Sequence, residues 1–286
     1  MTQHDDSSRT IGPISLAVAD LRRATEFYSE ALGLRLLDSS PSHVALGIEA
    51  IPLVILELRP GAKRDPSAPG LFHLAILLPS RTALAAQLQH LLRNGIRLHG
   101  ASDHLVSEAL YLADPEGNGI EIYCDRPRSD WPYRSGQLQM ATDPLDLDAL
   151  LAAAPPGHLW DGLPAGTIMG HIHLQVSDVP AAVDFYRDII GLRLTTRYGA
   201  SAAFLSFHGY HHHLAVNCWN SRGATTAPLG SLGLIRFTLR VGDAGLEPIA
   251  AALLKGAIPH ERHEAHGFLS EIVVSDPSGN RLQLES

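Results

Sequence analysis

Four stretches of the chain repeat one alternation of apolar and polar positions. Each opens with a short apolar strand, turns at small or acidic residues, continues as an amphipathic helix and passes a glycine into further strands. The opening strands read GPISLAVAD (12–20), FHLAILL (72–78), GHIHLQVSD (170–178) and IRFTLRV (235–241). The helical segments are 21–32, 80–94, 179–190 and 243–255, followed by Gly33, Gly95, Gly191 and Gly256. Apolar residues recur there at three- and four-residue spacing, as Ala182, Phe185, Tyr186 and Ile189 do in the third, so each helix buries one stripe. A glycine at each helix end suits a left-handed terminal residue, and Asp20 and Asp178 are suited to cap helix starts. The first and third repeats share EFYSEALGLRL (26–36) and DFYRDIIGLRL (184–194). The second and fourth close on DPEGNGIEIY (114–123) and DPSGNRLQLE (276–285), each a turn followed by an alternating strand.

The pattern predicts an α+β chain of four βαβββ modules. Residues 1–10 form a polar tail read as disordered. Modules one and two occupy 11–124, a linker 125–167, and modules three and four 168–286. The linker carries Trp131 and Tyr133 and a helical stretch capped near Asp143; it is too apolar to be simply disordered and is expected to pack across the two halves.

Composition narrows the function. A net charge of −8 argues against nucleic acid, which requires a basic face, and against an acidic membrane surface. No apolar run approaches the roughly 20 residues that span a bilayer, and the polar N-terminus lacks a secretory pattern, so a cytoplasmic location is expected. Two cysteines, Cys124 and Cys218, cannot build a disulfide framework and disfavour a cysteine zinc site. Histidine is abundant at 16 residues, which invites a metal.

The repeated modules, with GHIHLQVSD, DPEGNGIEIY and GYHHHLAVNCW (209–219), resemble the vicinal oxygen chelate superfamily of glyoxalases, antibiotic-resistance proteins and extradiol dioxygenases, and most of all its two-domain catechol 2,3-dioxygenase-like members. The resemblance covers nearly the whole chain. It implies two cupped mixed β-sheet barrels with helices outside and one divalent metal. Ligands would sit on the first strand of each module and the last strand of each even module. Those positions hold Pro13, His73, His171 and Arg236, with Glu121 and Gln283 on the terminal strands. Neither sequential pair of modules completes a ligand set. Modules two and three together offer His73, Glu121 and His171, while modules one and four are left with Pro13, Arg236 and Gln283. Arg236 is expected to form a salt bridge or hydrogen bond across its own cup. Two imidazoles and one carboxylate leave an open face for substrate, and suit Fe(II) or, by the same donors, Mn(II).

The resemblance also places a pocket acid–base at His212, a substrate-orienting tyrosine at Tyr111 and, more loosely, a second pocket histidine at His104. Strand alternation points to His213 in place of His212, and both stay open here. His173 shares a face with His171 and is a candidate for the substrate wall. The implied activity is an Fe(II)-dependent extradiol dioxygenase taking a small aromatic diol and dioxygen, with assembly into a homo-oligomer left open. A glyoxalase-type isomerase and a non-enzymatic small-molecule binder are the alternatives.

Overall fold

The computed structural model describes residues 10–155, 157, 159–228, 230–242 and 245–286; the tail reading for 1–10 lies almost wholly outside them. The strands form two large mixed sheets, an α+β arrangement with few helices. One sheet runs from edge to edge through Asp143–Pro144, Gly100–Asp103, Ser107–Ala113, Gly119–Asp125, Gly70–Leu77, Ile168–Gln175, Leu214–Asn217, Ala202–Ser206 and Arg193–Tyr198. It is made by modules two and three, with the linker's Asp143–Pro144 at one edge. The other runs through His260–Ala265, Phe268–Ser275, Arg281–Glu285, Gly233–Arg240, Ile11–Val18, Ile51–Leu58, His43–Ile48 and Arg35–Ser40, from modules four and one. Each half of the chain therefore places one module in each sheet. No described helix is long and apolar enough to cross a membrane.

Strand alternation sorts the side chains. Leu74, Ile76, Ile172 and Leu174 point to a core that runs continuously through both sheets, joined by Ile14, Leu16, Phe237 and Leu239 from the second. The helices cover this side: in Arg81–Arg93, Leu84, Leu88 and Leu91 are buried. Asp20 and Asp178 cap their helices, each carboxylate accepting a backbone N–H three residues on. In modules one and three the helix ends in a π turn, Phe27–Ala31 and Phe185–Ile189.

That π turn sets Tyr28 and Tyr186, both fully buried, into equivalent bonds. The Tyr28 hydroxyl donates to Asp114 at 3.1 Å and the Tyr186 hydroxyl to Asp276 at 3.0 Å. Each aspartate also accepts two backbone N–H groups of its own turn and the side-chain amide of Asn118 or Asn280. These turns need glycine at positive φ, and have Gly117 at 82° and Gly279 at 88°. Each tyrosine thus fastens the helix of one module to the turn of the next, in the other sheet. Tyr28→Phe removes one of the four hydrogen bonds to a buried carboxylate, and is expected to cost about 1–3 kcal/mol. A drop in the urea unfolding midpoint checks this; an unchanged midpoint counts against it.

Three expectations need correction. Gly256 is right-handed at φ −79°, and the left-handed residue is Ala257 at 50°. The linker helix spans Leu147–Leu151 and its cap is Asp146, not Asp143, because the Asp146 carboxylate reaches the Ala149 N–H; Asp143 instead pairs with Asp103 as an edge strand. The Arg236 guanidinium makes no ion pair or hydrogen bond among the described residues. It is half-buried, so solvent can satisfy the guanidinium. The Gln283 amide bonds Glu271 and Glu285 instead. The linker does span the halves: Trp131 packs on His211, while Trp160 stacks on His90 and donates to Gln87.

Candidate active site

Three neighbouring strands, Gly119–Asp125, Gly70–Leu77 and Ile168–Gln175, carry the predicted ligands to one place. Ala75 is the register partner of both Glu121 and His171. Its methyl group leaves room for the longer side chains on either side to fold together above it. His73 stands two residues earlier on the same face, as period two requires. Gly119, opposite His73, has no alternative, since a Cβ there would run into the Phe72 carbonyl.

The donor atoms of His73, Glu121 and His171 all lie within 4.8 Å of one another, and all three residues are buried. His171 Nε2 donates to Glu121 Oε2 at 3.2 Å. His73 Nε2 lies 3.1 Å from the same oxygen, yet is not aligned for a hydrogen bond and has no partner. A buried nitrogen without a partner is costly, and a cation at the point where the three donors converge would satisfy it. Burial pushes the His171 imidazole down to about 4, which keeps it neutral, the form a metal needs. Burial works against charge on Glu121, but His171 and His73 overcome it and hold the carboxyl well below its usual range. Two neutral imidazoles and one carboxylate are the donor set of a three-ligand site with open positions.

A cavity of about 250 Å³ is lined by His73 and Glu121 of this triad. His212 lines it, with its ring 4.1 Å from that of His171. His213 does not line it: its Nδ1 accepts the Phe207 N–H at 3.2 Å and its ring lies against Tyr210. The regular strand begins only at Leu214, so alternation carried back from it does not hold across the three histidines. The same parity does hold inside the strand, where the Asn217 amide donates to His173 Nε2 at 2.9 Å. His173 forms part of the cavity wall with Phe72 and Trp219, at ring separations of 4.9 and 5.5 Å.

Tyr111 faces Glu121 across the ladder and His104 completes that wall. The tautomer of His104 follows from its partners. Its Nδ1–H donates to the Ala141 carbonyl at 2.6 Å, so its Nε2 accepts from the Tyr111 hydroxyl at 2.7 Å. Burial, with Glu121 nearby, raises Tyr111 well above the usual phenol range, and it stays a neutral phenol. Glu121 is the one charged residue in the lining; no lysine or arginine is present among the described lining residues.

Some residues around the site were not anticipated. Met140, Ala141 and Thr142 of the linker close one side of the cavity, and Phe204 and Tyr198 close another. Asp125, Tyr210 and His211 lie behind His212. Asp125 sits two and four residues beyond Tyr123 and Glu121 on one face of an alternating strand, a period that could have flagged it. Nothing local could have flagged the linker contacts.

The family model of the Glyoxalase/Bleomycin resistance protein/Dioxygenase superfamily matches residues 10–122 and again 168–284. The chain is 42% identical over 241 residues to a catechol-2,3-dioxygenase of Bacillus subtilis, covering 82% of this chain and 83% of that one. A biphenyl-2,3-diol 1,2-dioxygenase of Rhodococcus globerulus is 29% identical over 129 residues, 43% of this chain and 68% of the relative. Among solved structures, glyoxalase I of Zea mays shares the fold with a TM-score of 0.59 at 16% identity, over 98% of this chain and 92% of the other. The chain belongs to the Glyoxalase/Bleomycin resistance protein/Dioxygenase superfamily, as an extradiol enzyme of the catechol-2,3-dioxygenase-like type.

Proposed function

We propose that the protein is an Fe(II)-dependent extradiol ring-cleaving dioxygenase acting on a catechol-like aromatic diol without a charged ring substituent. The observation that carries this reading is the His73–Glu121–His171 donor set, of which His73 and Glu121 line one small aromatic cavity together with His212. His73, Glu121 and His171 would hold the ion, with Mn(II) served by the same donors. A bound ferrous ion would template diol and dioxygen together and stabilise developing negative charge.

The chain's own side chains do the rest. His212 Nε2, unpartnered among the described residues, takes a proton from the diol and later returns one, as general base and then acid. Burial, followed by the neighbouring histidines, holds its ring well below the usual imidazole range, so it begins neutral. Tyr111, whose hydrogen is committed to His104, offers its oxygen to a substrate hydroxyl. Phe72, His173 and Trp219 flank the aromatic ring. A glyoxalase-type reaction would want a second carboxylate as a proton shuttle, and Glu121 is the one carboxylate in the described lining. A cytoplasmic location agrees with two buried, unpaired cysteines.

Substrate charge is the test. With no lysine or arginine among the described lining residues, a ring carboxylate would be desolvated without a side-chain partner, at a cost of several kcal/mol. Each 1.4 kcal/mol is about a tenfold change in rate. After anaerobic loading with Fe(II), oxygen uptake should give kcat/KM for catechol, 3-methylcatechol and 4-chlorocatechol about 10²-fold or more above that for 3,4-dihydroxybenzoate. Equal rates would remove the substrate assignment, and no uptake with any catechol would remove the activity.

A further inference from the structure

Behind His212 lies a partly buried chain of hydrogen bonds that the ligand set does not explain. Its members come from two modules. Glu121, Tyr123 and Asp125 share one face of Gly119–Asp125, so the strand that supplies the carboxylate ligand also aims Asp125 at module three. Asp125 Oδ1 lies 3.0 Å from His211 Nε2, and His211 Nδ1 lies 2.8 Å from His212 Nδ1. The Tyr210 hydroxyl donates to Asp125 Oδ1 at 3.2 Å, and is 2.8 Å from the Tyr123 hydroxyl. The hydroxyl of Tyr123 passes over Gly170, where any Cβ would collide with it. His211 is fully buried, with its ring between those of Tyr210 at 4.0 Å and Trp131 at 5.4 Å.

These contacts allow one arrangement of protons when both rings are neutral. A carboxylate oxygen only accepts, so His211 Nε2 carries its proton and donates it to Asp125. His211 Nδ1 is then a lone pair and must accept, so His212 Nδ1 carries the proton between the rings. That leaves the lone pair of His212 on Nε2, the nitrogen with no partner among the described residues, on a ring that lines the cavity. We propose that Asp125 and His211 are positioning residues that set the tautomer and orientation of His212, so that Nε2 meets the substrate as a base. The inference rests on the role given to His212 under the proposed function.

Asp125→Asn reverses the chain in one of its two amide orientations. With its amide nitrogen turned to His211 Nε2 it donates there, moving the His211 proton to Nδ1 and the His212 proton to Nε2, where it faces the substrate as a donor. With its carbonyl turned there the wild-type order is kept, so His211→Phe, which removes both bonds, is measured beside it. The experiment compares wild type, Asp125→Asn, His212→Ala and the double variant for iron content, melting temperature, kcat and KM with catechol. The expected result is a kcat lower by about 10²-fold or more in Asp125→Asn, with iron content and KM near wild type. In the His212→Ala background, Asp125→Asn should cost nothing further, which a merely structural role would not produce. Should Asp125→Asn lose iron, melt early or keep its kcat, His211→Phe decides instead, since it keeps a ring between Tyr210 and Trp131 and removes both hydrogen bonds. A near-wild-type kcat in iron-loaded His211→Phe, or multiplicative losses in the double variant, overturns the proposal. Wild-type turnover in His212→Ala would instead overturn the role of His212 itself.

Discussion

His171→Ala protein is expected to take up no ferrous ion and to show no oxygen consumption with any catechol. His171 is 1% exposed and comes from the strand next to that of His73. Removing it leaves one imidazole and one carboxylate, a two-donor remnant. The loss should exceed the roughly 10–100-fold in affinity that follows removal of a contact merely supporting a ligand. The measurement is iron per chain after anaerobic loading and desalting, beside oxygen uptake and the melting temperature of the metal-free protein. Glu121→Gln is the paired variant, because it keeps the volume and removes the negative charge that holds the ion. Stoichiometric iron in either variant, with the fold intact, would rule out the triad as the metal site.

His212→Ala is expected to do the opposite: full iron, little turnover. The ring touches His171 and the cavity but lies outside the donor set. Loss of a general acid–base costs about 10²–10⁴-fold in kcat. His213→Ala is the control, since that ring is spent on the Phe207 N–H and Tyr210, and it should turn over within a few-fold of wild type by ordinary surface-of-site behaviour. If the His213 variant fell and the His212 variant did not, the cavity-facing ring would have been misassigned.

His213 entered as a candidate because a strand alternates, and the reason its ring lies off the cavity is physical. Period two belongs to residues held in a ladder. His211 and His212 follow the Phe207–Tyr210 turn, and His213 shares its Leu205 partner with Leu214, so the alternation is broken before the regular strand begins. Family resemblance pointed to His212 from a motif and needed no assumption about direction. His104 shows the other side of this. Its loop matched the resemblance poorly, yet the Ala141 carbonyl, 37 residues away, holds its ring in line with Tyr111.

The amino-acid sequence by itself determined what depends on neighbours along the chain. That comprises the four modules, the faces of their strands, the caps at Asp20 and Asp178, the glycine turns after Asp114 and Asp276, His73 and His171 at equivalent points of two opening strands, and Glu121 on a terminal strand. The crossed partnership of modules two and three was legible through the family resemblance, which implied the ligand positions where Pro13 and Arg236 cannot ligate a cation. Only the tertiary structure decided how the loops and linker complete the site. Asp125 and His211 are 86 residues apart and meet through one hydrogen bond, and residues 140–142 of the linker wall the cavity. Local periodicity encodes which face of an element a side chain occupies. It carries no information about what another segment, brought in by the packing of the whole chain, will place against that face.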